Sequence, residues 1–329
     1  MTPLLELRQV SKTFSARQDV TGRLVSALTG RAKPKGVQAV SNLSLSVNAG
    51  EVVGLVGESG CGKSTVGRLA AGVYWPSSGQ RYWQNTDMAT LARRERERSG
   101  LEIQMIFQDP YASLNPRMRA ADIVAEGAHV HGFIRRDEVR DFVAGLFERV
   151  GLDPDSMDRF AHQFSGGQRA RIGIARALSV NPKFLVCDES VAALDVSIQA
   201  QVLNLFIKLR EELGLTYLFI SHDLGVVRHI ADRIVVMYLG RIVESGPTEE
   251  VYQHPRHPYT QALLAEVPAL DKRKKIFMGI KGEIPSPLKP PEGCHFHTRC
   301  PHALPICKVL APELRSVGAG QFAACHLLD

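Results

Sequence analysis

The chain has 329 residues, 44% of them hydrophobic and 22% charged, with 40 basic against 34 acidic side chains and a net charge of +6. That length suits one large or two modest domains with a buried core, and the composition is that of an ordinary globular protein without a run approaching the roughly 18 apolar residues of a membrane-spanning helix. The basic excess suits phosphate ligands or anionic headgroups but is too small to indicate nucleic-acid binding.

In chain order, Met1-Thr-Pro-Leu-Leu-Glu lacks the basic and apolar regions of a signal peptide, so the expected location is the cytoplasm, with any membrane role exercised through partner subunits. Residues 4–10 alternate like an early strand and lead to Phe14. Residues 15–37 are polar and basic and read as an excursion; Leu43, Leu45 and Val47 then alternate again. Glu51-Val-Val-Gly-Leu-Val56 reads as a buried parallel strand, and Val66-Gly-Arg-Leu-Ala-Ala71 as a helix start. Between them stand Gly57, Glu58, Ser59, Gly60, Cys61, Gly62, Lys63, Ser64 and Thr65, which fit the phosphate-loop pattern G-x-x-x-x-G-K-[ST] in its proper strand–loop–helix context. Such a loop aims backbone N–H groups and a helix dipole at one anion. The glycines allow close wrapping, Lys63 supplies a cation for the β- and γ-phosphates, and the Ser64 hydroxyl suits Mg²⁺. The chain is expected to bind a nucleoside triphosphate.

Residues 91–99 are almost entirely charged and read as a solvated helix with mixed-sign pairs. Residues 101–107 read as a strand running into Gln108, and residues 111–164 as a helical insert. An α/β alternation then resumes: a helix over 168–179, a strand over 183–187 ending in Asp188-Glu189, a helix over 198–213, a strand over 217–220 ending at His222, and a strand pair turned at Gly240. This pattern argues for a predominantly parallel sheet. From residue 268 the character changes to a charge run and then a proline-rich linker.

An apolar strand ending in Asp188-Glu189 places two carboxylates beside the phosphate loop. Asp188 would hold the Mg²⁺ shell, and Glu189 would orient and deprotonate an attacking water. Phe164-Ser165-Gly166-Gly167-Gln168 opens another helix with a good N-cap and a second set of exposed N–H groups. At these residues the chain resembles the ATP-binding cassette (ABC) family, whose signature is usually Leu-Ser-Gly-Gly-Gln; Phe here replaces the Leu. The resemblance implies an α/β fold with a P-loop NTPase (RecA-like) core, an antiparallel β-subdomain and a helical subdomain at about 110–165. It also makes Gln108 the Q-loop glutamine that links Mg²⁺ and the water to that subdomain, Ala192 to Asp195 the D-loop, His222 the switch histidine and Phe14 the aromatic that stacks on adenine. Ser190 stands where many members have proline. ATP on one chain's loop would be closed over by Ser165, Gly166, Gly167 and Gln168 of another, making nucleotide binding a dimerisation switch.

Longer stretches narrow the resemblance to ATPases of bacterial oligopeptide and dipeptide importers: Phe107-Gln-Asp-Pro-Tyr-Ala-Ser-Leu-Asn-Pro116, Ala193-Leu-Asp-Val-Ser-Ile-Gln-Ala-Gln201, and His254-Pro-Arg-His-Pro-Tyr259 with the residues that follow. The implied partners are a related ATPase, two membrane permeases and a periplasmic or extracellular solute-binding protein, at the cytoplasmic face of the inner membrane and without nucleic acid. Nickel and antimicrobial-peptide importers share this ATPase type. A soluble ABC ATPase acting on DNA or ribosomes, and a cassette that binds ATP without turnover, are the readings from other classes. The expected division is an ABC nucleotide-binding domain over 1–265 and a Cys-rich C-terminal region over 266–329. There Cys294, Cys300, Cys307 and Cys325 form a C-x5-C-x6-C-x17-C set. Disulfides are disfavoured in a reducing compartment, which leaves a structural [4Fe–4S] cluster, a zinc site completed by a nearby histidine, or reduced thiols. The set lies far along the chain from every nucleotide motif, so its role is expected to be tethering the tail.

Overall fold

The computed structural model describes residues 2–14, 36–109, 113–266 and 282–328. The excursion at 15–37, apart from its last two residues, and the charge run near 271–275 lie outside them.

Among the described residues, twelve strands form two sheets. β1 (Leu5–Phe14), β2 (Val37–Val47), β4 (Ser78–Trp83) and β5 (Thr86–Asp87) make an antiparallel sheet in the order β2-β1-β4-β5. β3 (Val52–Val56), β6 (Ile103–Ile106), β7 (Phe184–Asp188), β8 (Thr216–Ile220) and β9 (Arg233–Tyr238) are parallel in the order β9-β3-β8-β7-β6. Their near-continuous apolar runs have a simple cause: both faces are covered. Val52 and Val56 of β3 point into one core and Val53 and Leu55 into the other; Leu185 and Cys187 of β7 are divided from Phe184 and Val186 in the same way. One core faces the helical insert, and the other faces the antiparallel sheet.

The helices are α1 (Lys63–Ala70), α2 (Arg93–Leu101), α3 (Ala120–Val130), α4 (Val139–Val150), α5 (Gly166–Leu178), α6 (Val196–Leu213), α7 (Leu224–Ile230), α8 (Thr248–Gln253) and α9 (Pro258–Glu266). The charged segment is indeed a helix with no buried residue, carrying an Arg93–Glu97 pair at 2.8 Å. α3 and α4 pack on each other and on α5, burying Ile123, Val124, Val143, Phe147 and Ile172.

The C-terminal segment does not stand apart from this body. β10 (Arg241–Pro247) turns back from β9, β12 (Gln321–Ala323) pairs antiparallel with β10, and β11 (Arg315–Gly318) pairs with β12. The parallel core is thereby extended into one eight-stranded sheet. Glu244 locks the junction: wholly buried on β10, its carboxylate accepts from the N–H groups of Arg256 and His257, each at 2.8 Å, and from Gln321 Nε2 at 2.6 Å. A buried charge is tolerable only when its oxygens are met by donors in this way.

Candidate nucleotide site

The phosphate loop leaves the end of β3 and returns as the first turn of α1. Gly57, Gly60 and Gly62 have φ of +151°, +80° and +107°. At two of them a side chain is also sterically barred: a Cβ on Gly57 would lie 2.2 Å from the Met237 carbonyl oxygen, and one on Gly62 2.3 Å from that of Ala39. The loop is thus seated against β9 and β2, which explains glycine there by close approach as well as by backbone conformation.

Lys63 is 4% exposed, and its Nζ donates to the carbonyls of Gly57 at 2.7 Å and Glu58 at 3.0 Å. The same ammonium lies 4.0 Å from Glu189 Oε1. Ser64 Oγ donates to Asp188 Oδ1 at 2.9 Å, bringing two hard oxygen ligands together at the loop floor. Burial raises the Asp188 carboxyl pKa, opposed by the Ser64 hydrogen bond and by the charges of Arg68 and Lys63. Gln108 Nε2 donates to Glu189 Oε2 at 2.7 Å, and His222 Nδ1 lies 3.5 Å from the same oxygen. Glu189 itself has φ +47°, a left-handed conformation unusual for a residue with a side chain, and its N–H donates to Ile220 O at 3.0 Å. Six residues from four separate segments therefore meet at the ends of four parallel strands, β3, β6, β7 and β8. A cavity of about 240 Å³ opens among them, lined by Ser59 to Thr65, Gln108, Glu189, Gln38, Ala39, Gly240 and Pro287.

Such a constellation can bind a triphosphate, hold a divalent cation on Ser64 and Asp188, and offer Glu189 as a base. Over nearly its whole length the chain is similar to proteins named as ATP-binding transport proteins. It is 50% identical, over 98% of its own length and 97% of the relative's, to the oligopeptide transport ATP-binding protein AppF of Bacillus subtilis. Residues 40–192 match the family model for the ABC transporter. The chain belongs to the ABC transporter family.

A second family model, that of the oligopeptide/dipeptide transporter C-terminal region, matches residues 243–307 of this ABC protein. The oligopeptide transport ATP-binding protein OppF of Salmonella typhimurium is 50% identical over 85% of each chain. Among solved structures, the dimeric ATP-binding cassette MJ0796, in a post-hydrolysis state bound to ADP and Pi, is 26% identical with a TM-score of 0.62, covering 74% of this chain and 98% of that one.

The remaining expected site residues are dispersed. Ser165 caps α5 reciprocally: its Oγ accepts from the Gln168 N–H at 3.3 Å, and Gln168 Oε1 accepts from the Ser165 N–H at 2.9 Å. Gly166, Gly167 and Gln168 line no part of the cavity around the chain's own phosphate loop. A Cβ on Gly167 would lie 2.4 Å from Ile198 Cγ2, so α5 and α6 meet closely there. Phe14 also lies off the cavity wall, 37% exposed and edge-on to Tyr74 at 5.4 Å between centroids, although its strand partner Val37 lines the cavity.

The four late cysteines gather near one another: burial pushes the Cys294 thiol up to about 11, and Cys307, Cys325 and Cys300 add to the effect. Among the described residues no group of three or more His, Cys, Asp or Glu is arranged to hold a metal ion. Distance along the chain proved a poor guide to this segment. Arg299, next to Cys300, grips Glu58 of the phosphate loop with Nη1 to Oε2 at 2.7 Å and Nη2 to Oε1 at 3.0 Å. The Glu58 N–H donates to Tyr259 Oη at 2.9 Å. Sequence reading assigned no role to Arg299 or to the Tyr259 hydroxyl. The available signal was Glu58 itself, a carboxylate in a glycine loop whose one nearby cation, Lys63, is needed for phosphate.

Proposed function

We propose that this ABC subunit hydrolyses ATP to drive uptake of di- and oligopeptides. It would work in a pair with a paralogous ATPase beneath two membrane permeases supplied by a solute-binding protein, at the cytoplasmic face of the inner membrane. The peptide class rests on one observation above the others: the region that distinguishes this chain from a bare cassette, residues 243–307, is the part matched by the oligopeptide/dipeptide transporter model. Nickel uptake or work on nucleic acid or ribosomes gains no comparable support. Among the described residues no helix is long and apolar enough to cross a membrane, which accords with permeases being separate subunits.

In the mechanism we propose, Phe14 stacks on adenine and the N–H groups of Ser59 to Thr65 cradle the phosphates. Lys63 exchanges the carbonyls of Gly57 and Glu58 for phosphate oxygens. Ser64 and Asp188, with Gln108, would hold Mg²⁺, which neutralises phosphate charge. Glu189 takes the proton of the attacking water, kept in place by Gln108, and His222 contacts the γ-phosphate. Ser165, Gly166, Gly167 and Gln168 close the site of the opposite subunit; their absence from the chain's own cavity, and the dimeric state of the solved cassette, support that sharing. A groove of about 1000 Å³ between β6, α3 and α5, with Phe107 and Val130 exposed on it, is the proposed seat of a permease loop.

The division into a cassette over 1–265 and a C-terminal region over 266–329 belongs to the same proposal, and so does the [4Fe–4S] cluster. Cys294, Cys300, Cys307 and Cys325 are the residues that would ligate it, a reading that rests on their number and spacing in the chain. The cluster would tie the tail. Reconstitution with the permeases tests the main reading: peptide delivered by the binding protein should stimulate phosphate release, and a complex answering only to nickel, or an ATPase copurifying with RNA, would overturn it. Anaerobic purification tests the cluster, which requires about four irons per chain.

A further inference from the structure

The C-terminal segment touches the phosphate loop at one charged point. Arg299 is a buried guanidinium, its side chain 5% exposed, making a two-pronged contact with a Glu58 carboxylate that is 22% exposed. Nη1 also lies 3.5 Å from Tyr238 Oη, and the guanidinium carbon is 5.9 Å from the Tyr238 ring centroid. Tyr238, Tyr259 and Phe296 pack edge to face behind it, with centroids 4.7 to 5.3 Å apart, so the arginine is held from the rear. Glu58 is tied at three points: its carboxylate to Arg299, its N–H to Tyr259 Oη, and its carbonyl to Lys63 Nζ. Its charge is felt within the loop, where it adds to the upward shift of the Cys61 thiol.

A carboxylate in the first turn of a loop that must accept a triphosphate is a liability. Unpaired, it would repel the phosphates and compete with them for Lys63. A bidentate arginine removes the problem, because it both cancels the charge and turns the carboxylate away from the cavity. We propose that Arg299 is a positioning residue for nucleotide binding, holding and neutralising Glu58 so that Lys63 and the loop N–H groups are left to the phosphates. The proposal rests on Gly57 to Thr65 being the nucleotide site. It makes a residue of the C-terminal region part of the phosphate loop's outer support.

The test uses the full chain, MgATP binding by calorimetry, and basal phosphate release. Arg299→Ala should weaken MgATP binding and raise KM by about tenfold, the effect of one uncancelled charge near the phosphates, with kcat at saturating ATP within about twofold. Adding Glu58→Gln to Arg299→Ala should restore binding to within about threefold of the parent, since the repelling charge is gone. A packing role alone would give no such rescue. Arg299→Lys, which keeps the charge but loses the fork, should fall between. Unchanged KM in Arg299→Ala, or a double variant as weak as the single one, overturns the proposal. If Arg299→Ala fails to fold, the decision passes to Arg299→Lys with and without Glu58→Gln, read in the same way. Lys63→Ala separates the two readings: if it binds MgATP like the parent, the nucleotide site itself is misassigned, whatever Arg299 does.

Discussion

Gln108 and Glu189 are joined by a 2.7 Å hydrogen bond from Nε2 to Oε2, linking the end of β6 to the end of β7 across residues 81 positions apart. The bond leaves Glu189 held from one side by an amide and faced from the other by His222. A carboxylate so placed is oriented before a nucleotide arrives, as the proposed base role requires. Glu189→Gln should therefore bind MgATP normally while releasing phosphate at least ~100-fold more slowly, the scale of a positioned general base. Single-turnover phosphate release decides it, and near-parental turnover would remove Glu189 from the base role.

The Ser64–Asp188 pair makes a different demand. Burial raises the Asp188 carboxyl pKa against the Ser64 hydrogen bond and the charges of Arg68 and Lys63, and a divalent cation at the proposed site would offset that burial further. Asp188→Asn should retain the fold yet lose about 100-fold in turnover and require more Mg²⁺ for half-maximal rate. A magnesium titration of phosphate release reads both effects, and an unchanged half-maximal concentration would show that the metal is held elsewhere.

Coupling to permeases is testable on the groove. Val130 ends α3 with 71% of its surface exposed and no catalytic partner. Val130→Asp should leave basal hydrolysis by the isolated chain unchanged and cut peptide uptake by the assembled transporter roughly tenfold, as expected for a charge replacing an exposed apolar side chain of the proposed docking groove. Parallel loss of both activities would identify the groove as structural.

His257 sets a pH limit. It is 1% exposed, its Nδ1 accepts from the Tyr259 N–H at 3.0 Å, and burial pushes its pKa down to about 4. The unfolded chain takes up the proton near 6.5, so stability is full above that value and declines as pH falls from ~6.5 towards about 4. Glu244, whose pKa burial raises, acts in the opposite sense, favouring the folded state as pH falls through its own folded value. Comparing the parent with His257→Asn, which keeps an acceptor and the same Glu244, isolates the histidine. Urea unfolding at pH 7.5 and 5.5 should show the variant losing about 1 kcal/mol less between the two values. Equal losses would mean that His257 is protonated in the folded protein.

Much of this was readable from sequence because it is local. The phosphate loop, the β7 carboxylates and the α5 cap each lie within a few residues of the strand or helix that aims them. The parallel strands announced themselves by apolar runs because each is buried on both faces. What stayed hidden is non-local and polar. β12 has three residues and no periodicity, and its place is set by hydrogen bonds to β10 and by Gln321 reaching Glu244, 77 positions away. Arg299 reaches Glu58 across 241 positions, a distance at which spacing carries no information. Propensity cannot see a partner that only the finished fold supplies.

The pairing of β10 with β12 also bears on how the subunit is made. A ribosome delivers residues 241–247 long before 321–323, so the growing chain carries β10 as an open edge, with the Glu244 carboxylate still lacking Gln321. Chaperones that shield edge strands would find their target in that interval. A chain cut short after the cassette would keep the nucleotide motifs but leave that edge bare and Glu244 without its Gln321 donor. The eight-stranded sheet is therefore complete only once residues 321–323 have been made.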